Sequence, residues 1–166
     1  MVKIHERKFV SVDTEKCVGC QICEYACSFT KEKAFNPMKS RIRVVRINQV
    51  ANMAVTCRLC EDPACVAACP RDALTQSEET GAIMIDKDKC NGCGWCIEAC
   101  DYGAMMLHPE TKTVYVCDLC KDKGEPQCIK WCPEEALTLV TSDVLAQKAR
   151  IGAVKKLFQD AKEKKK

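Results

Sequence analysis

Cysteine placement constrains this chain more than any other feature. Its sixteen cysteines fall into four groups of four, with none left over. The groups are Cys17, Cys20, Cys23, Cys27; Cys57, Cys60, Cys65, Cys69; Cys90, Cys93, Cys96, Cys100; and Cys117, Cys120, Cys128, Cys132. The first and third read C-x2-C-x2-C-x3-C. The second widens one gap to four residues and the fourth widens it to seven. Cys69 and Cys132 are each followed by proline.

This spacing suits a [4Fe–4S] cube, whose four iron corners each take one thiolate. Three thiolates in a short run wrap three corners of one small object. Gly19 and Gly92, between the first two cysteines of their groups, let the backbone turn tightly there. In two-cluster ferredoxins the last cysteine of a motif ligates the other cluster, which ties two halves of a fold together. Zinc sites instead pair two C-x2-C steps across a longer gap, so four crowded runs favour iron–sulfur over a zinc adaptor. A disulfide scaffold fits least, since the start, MVKIHERKF, has no apolar export stretch.

Composition points the same way. The chain has 166 residues, and Leu, Ile, Val and Phe supply about one in five. That is thin for a self-sufficient core, so bound clusters are expected to act as staples and the metal-free chain to be largely unfolded. The formal charge of +3 assumes protonated thiols. Sixteen thiolates offset by about +2 from each of four oxidised cores leave about −5, an acidic holoprotein. Nucleic acid is therefore not an expected partner. No apolar run reaches the length of a membrane span and no twin-arginine leader is visible, so a cytoplasmic setting is expected.

Short alternating runs precede three motifs: Phe9–Val12, Ala82–Ile85 and Thr113–Val116. Another, Ala136–Val140, follows the last, and each predicts a brief strand. Ala54-Val55 is a weaker one. Residues after the third cysteine, such as Glu24-Tyr25-Ala26 and Ile97-Glu98-Ala99, predict about one helical turn. VDTEKCVGCQIC and IDKDKCNGCGWC match in spacing, as do CVAACPRDALT and CIKWCPEEALT, so motifs three and four echo motifs one and two. Residues 28–56 are an insertion. Asn36-Pro37 in it signals a turn, and Arg41–Ile47 a strand with arginines on a solvated face. From Ser142, read as an N-cap, a helix is expected. Val144, Ile151, Val154, Phe158 and Ala161, with Leu157 beside them, form its apolar stripe, facing either its own domain or a partner. The final KEKKK reads as a solvated tail.

No nucleophile–base pair, GxGxxG or Walker pattern is present, so no catalysis and no nucleotide site is expected. His5 and His108 read as surface residues without chemical duty. Trp95 and Trp131, inside cysteine motifs, read as covers that keep water from the clusters.

From Phe9 to about Val140 the chain resembles the four-cluster iron–sulfur subunits of the dimethyl-sulfoxide-reductase type. It is also similar to the small subunits of formate dehydrogenases, hydrogenases and tungsten aldehyde oxidoreductases. The four ordered motifs, CEDPAC at Cys60–Cys65, the two Cys-Pro pairs and FNPMKSRIRVV at Phe35–Val45 carry the resemblance. It implies an α+β, duplicated bacterial-ferredoxin-like fold over residues 1–141, with residues 142–166 as C-terminal helix and basic tail. One lobe comes from motifs 17–27 and 117–132, the other from motifs 57–69 and 90–100. It also implies the ligand exchange. One cluster takes Cys17, Cys20, Cys23 and Cys132; its neighbour takes Cys117, Cys120, Cys128 and Cys27. A third takes Cys57, Cys60, Cys65 and Cys100, and the fourth Cys90, Cys93, Cys96 and Cys69. Relatives sometimes lose a cysteine and hold a three-iron cluster; here all sixteen remain and four [4Fe–4S] clusters are expected. Ser28 follows Cys27 and Asp101 follows Cys100, so the Cys-Pro mark is missing there; Asp101 stands where relatives commonly carry proline, and its charge is expected to lower a cluster potential.

The implied function is electron transfer between a catalytic pterin-dependent molybdenum or tungsten subunit, the tungsten aldehyde-oxidoreductase type favoured, and a further redox subunit or ferredoxin. The alternatives are a free soluble polyferredoxin and the small subunit of a hydrogenase or formate dehydrogenase complex.

Overall fold

The computed structural model describes residues 7–48 and 51–163, with side chains up to residue 158. Among the described residues, four two-stranded antiparallel sheets, five α-helices and a 3-10 turn at Pro37–Lys39 make an α+β fold of short elements. The chain opens on β1 (Lys8–Val12), which pairs with the last strand, β8 (Leu137–Thr141), so that Phe9 faces Val140 and Val12 faces Leu137. The insertion folds into a hairpin, β2 (Arg43–Ile47) against β3 (Ala51–Val55). The remaining sheets are β4 (Leu74–Gln76) with β5 (Ile83–Ile85), and β6 (Met106–Leu107) with β7 (Val114–Tyr115).

Proline decides where two of the four motif helices begin and end. α2 (Ala64–Ala67) starts after Pro63 and α4 (Gln127–Lys130) after Pro126. Each is followed within three residues by Cys-Pro, which cannot continue a helix. After Cys27 comes Ser28, and α1 runs from Ile22 to Glu32, well beyond the single turn expected. It ends at Lys33, whose φ of 55° is left-handed and whose N–H bonds the Phe29 carbonyl. α3 (Trp95–Glu98) stops after four residues although Asp101 replaces proline.

β4 and β6 carried no clear sequence signal. Both are too short to show alternation, and each exists because a motif strand lies beside it. The tail helix, α5, spans Ser142–Glu163. Ser142 belongs to the helix rather than capping it; Thr141 Oγ1 accepts the Val144 N–H at 3.5 Å, the position of a capping residue. The apolar stripe of α5 does not pack on the domain. Val144, Ile151, Val154, Leu157 and Phe158 are 42–67% exposed, and only Leu145 touches the core. The side chain of Ala161 lies outside the described residues, as do His5 and the last three lysines.

The core is split into patches in which cysteine replaces aliphatic side chains. One gathers Val10, Ile42, Ala54 and Leu137 around Cys23, Cys27 and Cys128. Another gathers Leu74, Ile83, Met105, Val114 and Val116 around Cys96. The third, Phe9, Leu59, Ala82 and Val140, lies where β1 and β8 meet the second motif, with Cys57 against it.

Gly92 shows how tightly a motif loop is held. Its φ is +71°, and a Cβ there would press into the Lys112 backbone carbonyl. Gly94 also has a positive φ, +88°, but open space around it. Gly94→Ala should cost only the left-handed conformation, about 1–2 kcal/mol. Gly92→Ala should cost clearly more, because backbone must move as well. Anaerobic denaturant unfolding of the two variants checks this; equal midpoints would refute it.

Candidate metal centre

The fold brings cysteines from different motifs together. Cys17, Cys20 and Cys23 share one cavity with Cys132, walled by Val44, Ala54 and Leu137. Cys90, Cys93 and Cys96 share a second with Cys69, walled by Leu74 and Val114. These cavities hold about 340 and 320 Å³ of empty space, part of it open to solvent. In each, the fourth cysteine arrives from another motif because β8 returns to β1, or β5 to β4.

The other eight thiols find their neighbours in the same crossed manner. Burial pushes the Cys128 thiol up, and Cys117, Cys27 and Cys120 beside it push the same way. Burial likewise raises Cys65, followed by Cys100 and Cys60. The groups also adjoin one another. Cys23 is among the neighbours of Cys128, Cys117 is a neighbour of Cys57, and Cys65 is a neighbour of Cys96.

Whether these residues fit a cluster is a question of donor chemistry. All sixteen cysteines are free thiols. Burial holds several well above the ordinary thiol range: Cys23 and Cys57 to about 12, Cys96 and Cys117 to about 11. Such groups keep their protons at neutral pH until a metal displaces them. Backbone N–H groups already point at sulfur. Ala73 donates to Cys69 at 3.3 Å and Ala104 to Cys100 at 3.4 Å, each four residues on, and Val114 donates to Cys90 at 3.5 Å. Cys27 cannot use its own i+4 residue, since α1 continues past it. Arg41 of the insertion supplies the N–H instead, at 3.3 Å.

Four buried polar atoms beside the motifs also lack a hydrogen bond of regular geometry: Arg7 Nε, Arg41 Nε, Thr56 Oγ1 and Arg58 Nη1. An isolated buried donor is costly, and an anionic thiolate-bound group would satisfy it. Among the described residues no three His, Cys, Asp or Glu side chains converge as a single-ion site. The thiols line cavities, whereas zinc would draw four sulfurs to about 2.3 Å from one point. The residues fit a cluster.

The insertion arginines match the solvated strand face that the sequence suggests only in part: Arg46 is exposed, whereas Arg41 and Arg43 are half-buried. Arg46 Nη2 bonds the Gly19 carbonyl at 2.6 Å, clamping the first motif loop. Arg43 reaches the Pro37 carbonyl and Met106 Sδ. Arg41 Nη1 meets Asp118, between Cys117 and Cys120, at 2.8 Å. Lys31 joins Asp118 at 3.0 Å and Asp122 at 2.5 Å. Burial alone would raise the Asp118 carboxyl; Lys31 and Arg41 outweigh it and hold it below the usual carboxylate range.

His108 is not a surface residue either. It is buried, its Nδ1 accepts the N–H groups of Glu110 and Thr111 at 3.2 Å, and its Nε2 faces Glu32 at 3.8 Å. That is a turn-holding role. Trp95 and Trp131 are about 60% exposed, so they give the clusters less cover than expected. Trp131 lines an outer apolar groove with Tyr25, Phe29 and Phe35. Glu24 carried no sequence signal; it is 3% exposed and accepts the Val44 N–H at 2.6 Å, tying α1 to β2.

Among the described residues, no helix is long and apolar enough to cross a membrane. Residues 48–142 match the family model described as a 4Fe-4S dicluster domain. The chain is 38% identical over 144 residues to the polyferredoxin-like subunit of an aliphatic sulfonate oxidoreductase from Pyrococcus furiosus, covering 85% of this chain and 82% of that one. It is 30% identical over 137 residues to the thiosulfate reductase electron transfer subunit PhsB of Salmonella typhi, covering 75% and 71%. Among solved structures it matches the active site complex BamBC of benzoyl coenzyme A reductase, at 23% identity, 87% and 89% coverage and a TM-score of 0.49. The residues matched and the two relatives show that the chain belongs to the 4Fe-4S dicluster domain family.

Proposed function

We propose that this chain is a non-catalytic electron-transfer subunit that holds four [4Fe–4S] clusters in two ferredoxin-like lobes, residues 142–166 standing apart as helix and tail. The observation that carries it is the pair of cavities in which three cysteines of one motif meet the fourth of another. The ligand sets are those named from the resemblance: Cys17, Cys20, Cys23 with Cys132; Cys117, Cys120, Cys128 with Cys27; Cys57, Cys60, Cys65 with Cys100; and Cys90, Cys93, Cys96 with Cys69. The crossed neighbours of Cys128 and Cys65 support the two sets that line no separate cavity. When bound, the clusters supply a series of one-electron carriers, set in potential by charge, hydrogen bonds and exposure.

The chain's own residues provide the rest. Apolar walls from Val44, Ala54, Leu137, Leu74 and Val114 limit water at the two outer sets. N–H groups of Arg41, Ala73, Ala104 and Val114 stabilise thiolate charge. Cys20 and Cys93, the exposed cysteines, mark where the outer sets come nearest to solvent.

The partners in this reading are a catalytic pterin-dependent molybdenum or tungsten subunit and a second redox subunit or ferredoxin. The names of the relatives, subunits of sulfonate and thiosulfate oxidoreductases, support a fixed place in such a complex. The FNPMKSRIRVV segment inclines the choice to tungsten. Sixteen free thiols support a reducing, cytoplasmic setting.

Anaerobic purification from the native source tests all of this. We expect about sixteen irons per chain, matching sulfide, a brown colour, and a co-purifying large subunit with pterin-bound metal. About four zincs and no colour would refute the reading. A coloured protein that purifies alone would leave the clusters standing and replace the fixed subunit with a free polyferredoxin.

A further inference from the structure

Two of the unsatisfied buried donors flank one cysteine. Thr56 and Arg58 stand on either side of Cys57, where the second motif meets the fourth. Thr56 is 4% exposed, and its hydroxyl has no hydrogen bond of regular geometry within the folded chain. It lies beside Cys117. Burial pushes that thiol up, and the Thr56 hydroxyl acts in the opposite direction, as a donor to the sulfur does.

Arg58 is fixed differently. Its guanidinium lies 4.9 Å from the centre of the Phe9 ring and 5.5 Å from that of Tyr102. The two rings hold the cation in place through their electron-rich faces. Its Nη1 is buried and unpaired. Among the described residues no carboxylate bonds this guanidinium, and its charge falls on Cys60, opposing burial, Cys100 and Asp101. A buried guanidinium nitrogen without a partner is costly in the metal-free chain, and the cost is offset when Cys60 and its set become anionic.

The two residues thus address different ligand sets on the two sides of one junction. Thr56 faces the set of Cys117, Cys120, Cys128 and Cys27. Arg58 faces the set of Cys57, Cys60, Cys65 and Cys100. These are the inner pair, since Cys57 and Cys117 are neighbours while Cys20 and Cys93 lie at exposed ends. Reduction adds one electron from the redox partner and moves no proton or other atom, so the ligand sulfurs become more negative. A hydroxyl proton or a cation facing those sulfurs favours the reduced form. We infer that Thr56 and Arg58 are positioning residues that hold up the reduction potentials of the two inner clusters and so set the step between the halves of the chain. The inference rests on the electron-transfer reading above.

Redox titration of the intact, anaerobically prepared holoprotein, followed by electron paramagnetic resonance, tests it. Thr56→Val keeps the shape and removes the hydroxyl; it should lower one of four potentials by about tenfold in the reduction equilibrium, about 59 mV for one electron. Thr56→Ser should restore it. Arg58→Met keeps an apolar stem between the rings and should lower a different potential at least as far, with Arg58→Lys recovering much of the loss. Iron content should stay at the wild-type level throughout. Full iron with four unchanged potentials would overturn the inference. So would a uniform shift of all four, or iron loss that Ser and Lys fail to rescue, since that is a structural role. If the wild-type protein itself lacks four clusters, the electron-transfer reading fails and this inference goes with it.

Discussion

Removing the metal should abolish the cooperative unfolding transition of this protein. Three of the five helices are four residues long and the strands are two to five. Helices this short are unstable alone, and isolated two-stranded hairpins are marginal in water. Tertiary packing must supply the stability, yet each of the two larger core patches is built around cysteine sulfur. Without metal these patches hold protonated thiols around cavities of about 320 to 340 Å³. Arg41 Nε, Thr56 Oγ1 and Arg58 Nη1 add buried polar atoms without a hydrogen bond of regular geometry. Structural metal binding in small domains contributes on the order of 10 kcal/mol. That matches the whole net stability of an ordinary domain, about 5–15 kcal/mol. Chelation under anaerobic conditions, read by circular dichroism and calorimetry, should give a chain with no sharp melting. A metal-free protein that still melts cooperatively near the holoprotein's temperature would show that the aliphatic core suffices.

Residue patterns revealed the local parts of this structure and missed the long-range ones. Phe9–Val12 and Ala82–Ile85 are strands because alternation and β-branching are properties of neighbours in sequence. The length of α1 was misjudged because the motif suggested one turn, whereas nothing after Cys27 stops the helix before Lys33. The partners of the insertion arginines are the clearest omission. Alternating charge on a strand ordinarily means solvent, but Arg46 reaches Gly19 and Arg41 reaches Asp118, 27 and 77 residues away. No periodicity encodes such partners. His108 precedes Pro109, a pair that suggests an exposed turn, and only the fold shows that Glu110, Thr111 and Glu32 close around it. The stripe on α5 was correctly seen as apolar, but its orientation depended on where β8 releases the chain; only Leu145 returns to the core.

Crossing of the fourth cysteines should appear as a pattern of non-additivity. Cys132 lines the cavity of Cys17, Cys20 and Cys23, while Cys120 belongs to its own motif and neighbours Cys27 and Cys128. Two removals from one ligand set destroy one cluster; two from different sets destroy two. Cys20→Ser with Cys132→Ser should therefore lose no more than either change alone, leaving about twelve irons of about sixteen. Cys120→Ser with Cys132→Ser, although confined to the fourth motif, should leave about eight. If each motif bound its own cluster, these outcomes would be exchanged: the pair within motif four would cost one cluster and the pair spanning motifs one and four would cost two. A residual three-iron centre forms only where a set has lost a single thiolate; it would show as about fifteen irons in each single variant and would reverse the order of the double ones, to about twelve and about fourteen. Iron and sulfide analysis of both double variants, beside the three single ones, decides between the arrangements. Only the crossed arrangement makes Cys27 and Cys132 exchange places between the helices α1 and α4, which is how two short motifs far apart in sequence become one folding unit.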